Sequence, residues 1–275
     1  MTAITQWTLI SVTYNSSEAL RRFWADSPLP ASVRWIVVDN ASTDDSITVA
    51  RAAGAEVIAL PHNIGFGAAN NHGFQHVVSP YVGFVNPDVR VDFASLTDLA
   101  SVIDRTGGIV APQLLNADGT VQPNGRGRPY LAHKILNRLS RSGRESEYRL
   151  YADDDSEREV AWLMGAVVLG ARETFASLGP WDPHFFVYYE DSDLGLRAAA
   201  QGVPSLITGR SRWVHGWARE TKKLAWGPWK REVPSMLKFY ARYPCLLSPV
   251  PSLTEKRIQR DAMRAHLIFE SGSNV

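Results

Sequence analysis

Three carboxylates in four positions, Glu190, Asp191 and Asp193, stand directly behind the run Phe185-Phe186-Val187-Tyr188-Tyr189 and ahead of Leu194-Gly195-Leu196-Arg197. Burial beside aromatic rings raises a carboxyl pKa towards the range of a useful base, and neighbouring acids push their values further apart. The chemistry on offer is proton removal. The same residues also suit a helix N-terminus, where acids complement the macrodipole and Asp191 or Ser192 caps the turn. The two readings are compatible.

Asn86-Pro87-Asp88 ends an apolar run with one carboxylate, which together with another group can hold Mg²⁺ or Mn²⁺ against a diphosphate. Pro-Asp also builds ordinary turns. His215 is a candidate second ligand, although a lone histidine is more often structural. The stretch Asn63-Ile64-Gly65-Phe66-Gly67-Ala68-Ala69-Asn70-Asn71-His72-Gly73 follows a predicted strand and opens a predicted helix, with small residues that admit a ligand near the helix start. Its glycine spacing is not that of a dinucleotide fingerprint. Asp153-Asp154-Asp155 lies in a charged, aperiodic stretch and reads as a solvated loop. Cys245, in Tyr243-Pro244-Cys245-Leu246-Leu247, reads as packing.

The elements that must position these groups alternate. WTLISVTY from Trp7 to Tyr14 and WIVV from Trp35 to Val38 are strands that end in polar residues, with a helix predicted over Glu18 to Asp26. A helix over Asp44 to Ala53, a strand over Glu56 to Leu60, a helix from Gly67 to Val78 and a strand over Tyr81 to Val85 follow. This order predicts an α/β fold with a mainly parallel sheet, helices on both faces, and ligands beyond the carboxyl ends of the strands. Asn15, Asp39, Asn63 and Asp88 fall at those ends. Asn116 to Pro129 reads as turns and loop, and Ser140 to Glu159 as a charged, mobile segment. Trp162 to Gly170 reads as one strand, Leu194 to Gln201 as a short helix, and Ser205 to Thr208 as a strand. An amphipathic stripe runs from Thr254 to Glu270 through Ile258, Ala262, Ala265 and Phe269.

The chain has 275 residues, 45% of them hydrophobic, with a net charge of +1. That is enough for a continuous core, and the charge argues against a nucleic-acid binder. A single cysteine excludes an intrachain disulfide and fits a reducing compartment. No run of about 18 apolar residues and no N-terminal signal pattern is found, so neither a spanning helix nor secretion is expected. From Arg210 onward there are 13 Lys/Arg against 5 Asp/Glu, a net +8, together with Trp213, Trp217, Trp226 and Trp229. Basic residues interleaved with tryptophan suit an anionic membrane surface; a solvated basic face over core tryptophans is the competing reading.

Taken in order, Val12-Thr13-Tyr14-Asn15, Val37-Val38-Asp39-Asn40-Ala41-Ser42-Thr43-Asp44, the Asn63 to Gly73 stretch, Asn86-Pro87-Asp88, Gly165-Ala166, Gly179-Pro180-Trp181-Asp182 with Tyr189-Glu190-Asp191-Ser192-Asp193, and His215 resemble family 2 glycosyltransferases. The likeness is to the rhamnosyltransferase-like branch and runs from about residue 8 to 216. It implies a GT-A fold (a Rossmann-like nucleotide-diphospho-sugar transferase fold), a nucleotide-diphospho-sugar donor, Mg²⁺ or Mn²⁺, and inversion at the anomeric carbon.

By this resemblance Thr13, Tyr14, Asn15, Asp39, Asn40, Asn63, Gly65, Phe66, Asn70 and Asn86 border the nucleotide, with Asp39 accepting from the base. Asp88 and His215 hold the metal. Asp191 is the catalytic base, with Glu190 and Asp193 shaping the acceptor pocket, and Gly165, Ala166, Trp181 and Tyr189 face the acceptor. Residues 1–216 form the transferase domain, with a nucleotide half to about 110 and an acceptor half beyond it, and 217–275 a basic helical extension packed on it. The donor favoured is dTDP-rhamnose, with UDP-sugars next. The acceptor is a lipid-linked or cell-envelope saccharide, or else a soluble secondary metabolite, and the alternative to a transferase is a non-catalytic nucleotide-sugar-binding scaffold. A cytoplasmic protein, peripheral on the inner membrane face where the basic tail makes contact, is expected. Oligomeric state is open, a homodimer included. The serine common soon after the histidine is missing from Gly216-Trp217-Ala218-Arg219-Glu220-Thr221, so Arg219, Lys222 or Lys223 are candidates to replace its diphosphate contact.

Overall fold

A computed structural model of the chain describes residues 6–134, 148–216, 226–247 and 256–264. Four parallel strands form its first half: β1 (Trp7–Thr13), β2 (Val33–Asp39), β3 (Glu56–Ala59) and β4 (Tyr81–Val85). They are joined by α1 (Ser17–Phe23), α2 (Ser46–Ala52) and α3 (Phe66–Phe74). The register sets Thr13 beside Asp39 and Asp39 beside Ala59, so strand ends that are far apart in sequence share one rim.

The second half extends the same sheet. β12 (Val167–Ala171) lies antiparallel to β4, followed by β6 (Ile109–Leu115), then β13 (Ser205–His215) parallel to β6, then β10 (Glu157–Val160) at the edge. Short β5 (Val89–Arg90) pairs with β13, and β7 (Val121–Gln122) with β6. A separate small sheet has the order β11 (Trp162–Leu163), β8 (Gly125–Arg126), β9 (Arg149–Leu150). The helices here are α4 (Leu96–Thr106), α5 (Arg172–Leu178) and α6 (Glu190–Ala200).

Both sheet faces are covered, which is why the strands read as unbroken apolar runs. Leu9 and Trp35 point to one core with Leu20, Phe23 and Leu99, while Ile10, Ile36 and Phe84 point to another with Phe175, Trp181 and Leu194. A third cluster joins Phe185, Tyr189 and Leu196 to Phe239, Tyr240 and Tyr243 of α7 (Trp226–Arg242) and its C-terminal end, and to Ile258 and Ala262 in a helix over 256–264.

Several expected elements are corrected. The run from Trp162 to Gly170 is two strands in different sheets, because the chain turns a corner at Gly165-Ala166. The strand begun at Ser205 continues to His215 through an irregularity between Thr208 and Arg212. Asn116 to Pro129 contains β7 and β8, and Glu157–Val160 is a paired edge strand. The helix after the aromatic run starts at Glu190, which puts all three acids in its first turn. Trp213 is core, its indole N–H donating to Ser95 Oγ at 2.9 Å. Trp217, Arg219, Lys222, Lys223, Ala265 and Phe269, residues 140–147, and the side chains of Trp226 and Trp229 lie outside the described residues.

Candidate active site

The rim at the ends of β1 and β2 is a mesh of short polar contacts. Thr13 Oγ1 donates to Asp39 Oδ1 at 2.8 Å, and the Ser42 N–H donates to Asp39 Oδ2 at 2.9 Å. Asn15 adopts a left-handed φ of 52°, its Oδ1 accepting from the Thr43 N–H at 2.8 Å, while Tyr14 projects to solvent. Asn40 and Asn70 are buried, and their amides serve the backbone. The Ile64 N–H donates to Asn40 Oδ1, Asn40 Nδ2 donates to the Gly65 carbonyl, and Asn70 Nδ2 donates to the Phe66 carbonyl. Both asparagines therefore shape the loop carrying Asn63, whose Oδ1 accepts from the Gly65 N–H.

That loop is the bridge to the acidic cluster. The Phe66 N–H donates to the Phe186 carbonyl at 2.8 Å. Gly65 is required twice over: its φ is +92°, and a Cβ there would sit 2.5 Å from the same carbonyl. On the other side the Asn86 N–H donates to the Ala166 carbonyl at 2.9 Å, and the adjacent Gly165 N–H donates to Asp191 Oδ2 at 3.3 Å. The strand end carrying Asp88 thus connects in three steps to the acidic turn.

Ahead of α6 two successive tyrosines, Tyr188 and Tyr189, have left-handed φ of 68° and 73°. Such conformations cost of order 1 kcal/mol or more each and persist where packing over-determines them. Burial of the Tyr189 ring against Phe239 and Tyr240 does so here. The turn divides the acids by role. Glu190 is buried and its Oε2 has no hydrogen-bond partner among the described residues. Burial, then the charge of Asp191, push its carboxyl well above the usual range. Asp191 is half-buried; burial raises its pKa against the opposing charge of Lys134 and the N–H donors of Ser192 and Gly165.

Asp193 belongs to the core, which corrects its expected place in the acceptor site. Its Oδ2 accepts from Arg197 Nε at 2.7 Å, and its Oδ1 from Arg242 Nη1 at 2.9 Å and the Tyr243 hydroxyl at 2.8 Å. Arg242 also pairs with Asp182. The acid locks α6 to α7. Trp181 is corrected likewise. It is fully buried, edge-on to Phe66 and Phe84, and underlies Gly165 from inside the core. Tyr189 is also a packed residue, its ring closed off from solvent.

Lys134 was not singled out by sequence. Its Nζ lies 3.5 Å from the Tyr189 ring centroid, with Trp162 and Phe239 further around it, and 3.3 Å from Ser192 Oγ. Burial lowers its pKa to about 8, opposed by the charge of Asp191. No local pattern marks it, because its partners come from three separate elements, β11, the start of α6, and α7.

The pairing of β5 with β13 sets His215 opposite Val89 and so beside Asp88, with the Gly216 N–H donating to the Asp88 carbonyl at 2.7 Å. His215 Nε2 and Asp88 Oδ1 are 3.4 Å apart. Adjacent ligands of an octahedral cation held at about 2.1 Å stand roughly 3.0 Å apart, so the pair fits two positions of a Mg²⁺- or Mn²⁺-like ion. Among the described residues no group of three or more His, Cys, Asp or Glu side chains could hold a metal. Two protein ligands suit an ion that shares its remaining positions with a diphosphate and water.

A mixed, mainly parallel sheet with a polar rim at its switch point and an acid-bearing helix beside it defines a GT-A glycosyltransferase. The sequence profile of glycosyl transferase family 2 matches residues 8–158, and the chain belongs to that family. It is 30% identical over 237 residues to N-acetylglucosaminyl-diphospho-decaprenol L-rhamnosyltransferase of Mycobacterium tuberculosis, covering 78% of this chain and 76% of that one. Among solved structures it is similar to GalNAc-T7 with UDP, GalNAc and Mn²⁺ (TM-score 0.60, 16% identity, 96% of this chain and 55% of that chain). It is also similar to a mannosyltransferase of Pyrobaculum calidifontis in complex with GDP-Man and Mn²⁺ (TM-score 0.58, 16% identity, 99% and 76%).

Proposed function

We propose that this glycosyltransferase inverts the anomeric carbon and uses Asp191 as its base. The observation that carries the reading is the placement of Asp191: a half-buried carboxylate of raised pKa, oriented by two backbone N–H groups and joined through Gly165-Ala166 to the strand end that bears Asp88. Asp191 takes the proton of an acceptor hydroxyl as that oxygen forms its bond to sugar C1, and the bond from C1 to the donor diphosphate breaks on the opposite face. The diphosphate leaves with the bonding electron pair. Asp88 and His215 would hold a divalent cation, Mg²⁺ or Mn²⁺, which when bound neutralises charge on the diphosphate.

Thr13, Asp39 and Asn63, lining one rim, take the nucleotide in this reading, and Asn40 and Asn70 hold the loop that closes on it. The donor we favour is dTDP-rhamnose, ahead of a UDP-sugar, and the acceptor a lipid-linked saccharide of the cell envelope. The support is the rhamnosyltransferase at 30% identity. No described helix is long and apolar enough to cross a membrane.

Calorimetric titration with dTDP, UDP and GDP, each with Mn²⁺ and with EDTA, tests the donor assignment. Metal-dependent binding of dTDP above UDP is expected, by about tenfold at most, since one methyl group separates the bases. Tight GDP binding would overturn it.

A further inference from the structure

A line of side chains runs from the exposed turn after β6 to the buried ring of His215. We propose that Asp118, Thr120, Asn116 and Gln122 form a polarised hydrogen-bond relay that holds the His215 imidazole with its proton on Nδ1 and a bare lone pair on Nε2. Gln122 is thereby the positioning residue of the cation ligand, a consequence that rests on the metal reading above.

The direction of every link follows from its far end. Hydrogen bonds from Thr120 hold the Asp118 carboxyl below the usual range, so it is ionised and only accepts. Thr120 Oγ1 lies 2.6 Å from Asp118 Oδ1 and must spend its single proton there. The atom of Asn116 that meets Thr120 Oγ1 at 2.9 Å must then be the amide nitrogen. That turns Asn116 Oδ1 towards Gln122, whose Nε2 donates to it at 3.1 Å. Gln122 Oε1 is left facing His215 Nδ1 at 2.7 Å, and an oxygen acceptor there requires Nδ1 to carry hydrogen. Neutral His215 accordingly presents an unprotonated Nε2 to Asp88.

The geometry on the Asp88 side agrees. A proton on Nε2 shared with Asp88 would draw the pair to the 2.7–2.9 Å of charge-assisted bonds. The separation is 3.4 Å. Gln122 and His215 are both buried, and the Gln122 backbone carbonyl is held by Gln113 Nε2 at 2.8 Å, so water does not compete at the inner link.

The test is ¹⁵N-resolved side-chain NMR of the metal-free full chain across a pH series, with the tautomer read from the ¹⁵N shifts of the neutral ring. His215→Asn identifies the signal among seven histidines. Wild type and Gln122→Glu should show hydrogen on Nδ1 and bare Nε2. Gln122→Met should show a mixture or a reversal, and Thr120→Val, which cuts the relay at its exposed end, a smaller shift towards Nε2–H. Wild type protonated on Nε2 overturns the relay whatever the metal does, and so does an unchanged tautomer in Gln122→Met.

Mn²⁺ titration followed by the EPR signal of the free ion gives the second arm. Loss of a partner that orients a ligand costs about 10- to 100-fold in metal affinity, so Gln122→Met should lose that much and Gln122→Glu should keep wild-type binding. If wild type binds no Mn²⁺ yet shows the Nδ1–H tautomer, the metal reading fails and the relay stands.

Discussion

The acids at the starts of α2 and α6 are treated oppositely. Ahead of α2, Asp44 is close to solvent. Burial pulls its pKa up, yet hydrogen bonds from Ser46 and Ser17 outweigh that and bring the carboxyl down to about 2. In the first turn of α6, Glu190 and Asp191 are raised, because burial outweighs the opposing charges and donors around them. Position at a helix start therefore does not decide how an acid behaves; the balance of donors against burial does. The first arrangement yields a charged scaffold, the second carboxyls held above their ordinary range.

The comparison is broken most severely at its reactive member. Asp191→Asn keeps the shape and removes the proposed base, so turnover should fall by about 10²–10⁴. Nucleotide binding, measured by calorimetry, should stay within about twofold, since the hydrogen bonds of the Asp191 carboxylate among the described residues come from Gly165 and Ser192. Near-normal turnover would place the base elsewhere. In wild type, kcat/KM should climb with pH through a value above that of an ordinary aspartate, because burial raises Asp191 and only its ionised form accepts the proton.

Next in size is the third acid of the same turn. Asp193 has many donors and total burial, a combination found in neither Asp44 nor Asp191. Asp193→Asn leaves Arg197 and Arg242 without their shared counter-charge in the core. Removing one partner of a buried pair costs about 3–5 kcal/mol, a fall in Tm on the order of 10 °C. Asp44→Asn, exposed to solvent, should lower Tm far less. Equal losses in thermal unfolding would mean that Asp193 is not the lock between α6 and α7.

The sequence made the first half of the fold readable and the second half only partly so. Where strand and helix alternate, each strand buried on both faces is an apolar run and its end is marked by a polar residue, so β1 to β4 and the rim fell near their observed places. Beyond residue 110 the connections are long-range. Nothing between Trp162 and Gly170 announces that Gly165-Ala166 is a corner between two sheets. The three acids of α6 are equivalent as letters. What separates Asp193 from Asp191 is Arg242, some fifty positions later, and the charge acting on Asp191 is that of Lys134, held among three rings that are distant in sequence. Gln122 looks like any turn residue until β7 pairs with β6 and sets it under His215. Pattern shows which groups are available; tertiary pairing decides which of them are spent on structure.

Glu190 gives the smallest effect and the sharpest reading of the balance. Its pKa is raised in the folded protein by burial, with Asp191 adding to the rise, so between its unfolded and folded values the native state binds more protons than the unfolded chain. Stability then falls as pH rises from the ordinary glutamate value through the folded one. Glu190→Gln removes the titration and nearly preserves the volume. Relative to wild type its Tm should be unchanged below about pH 4, where glutamate is neutral in both states, and higher by a few degrees at pH 8. A pH-independent difference between the two proteins would show that Glu190 is charged in the native state, paired with Lys134, and that the turn holds two anions rather than one.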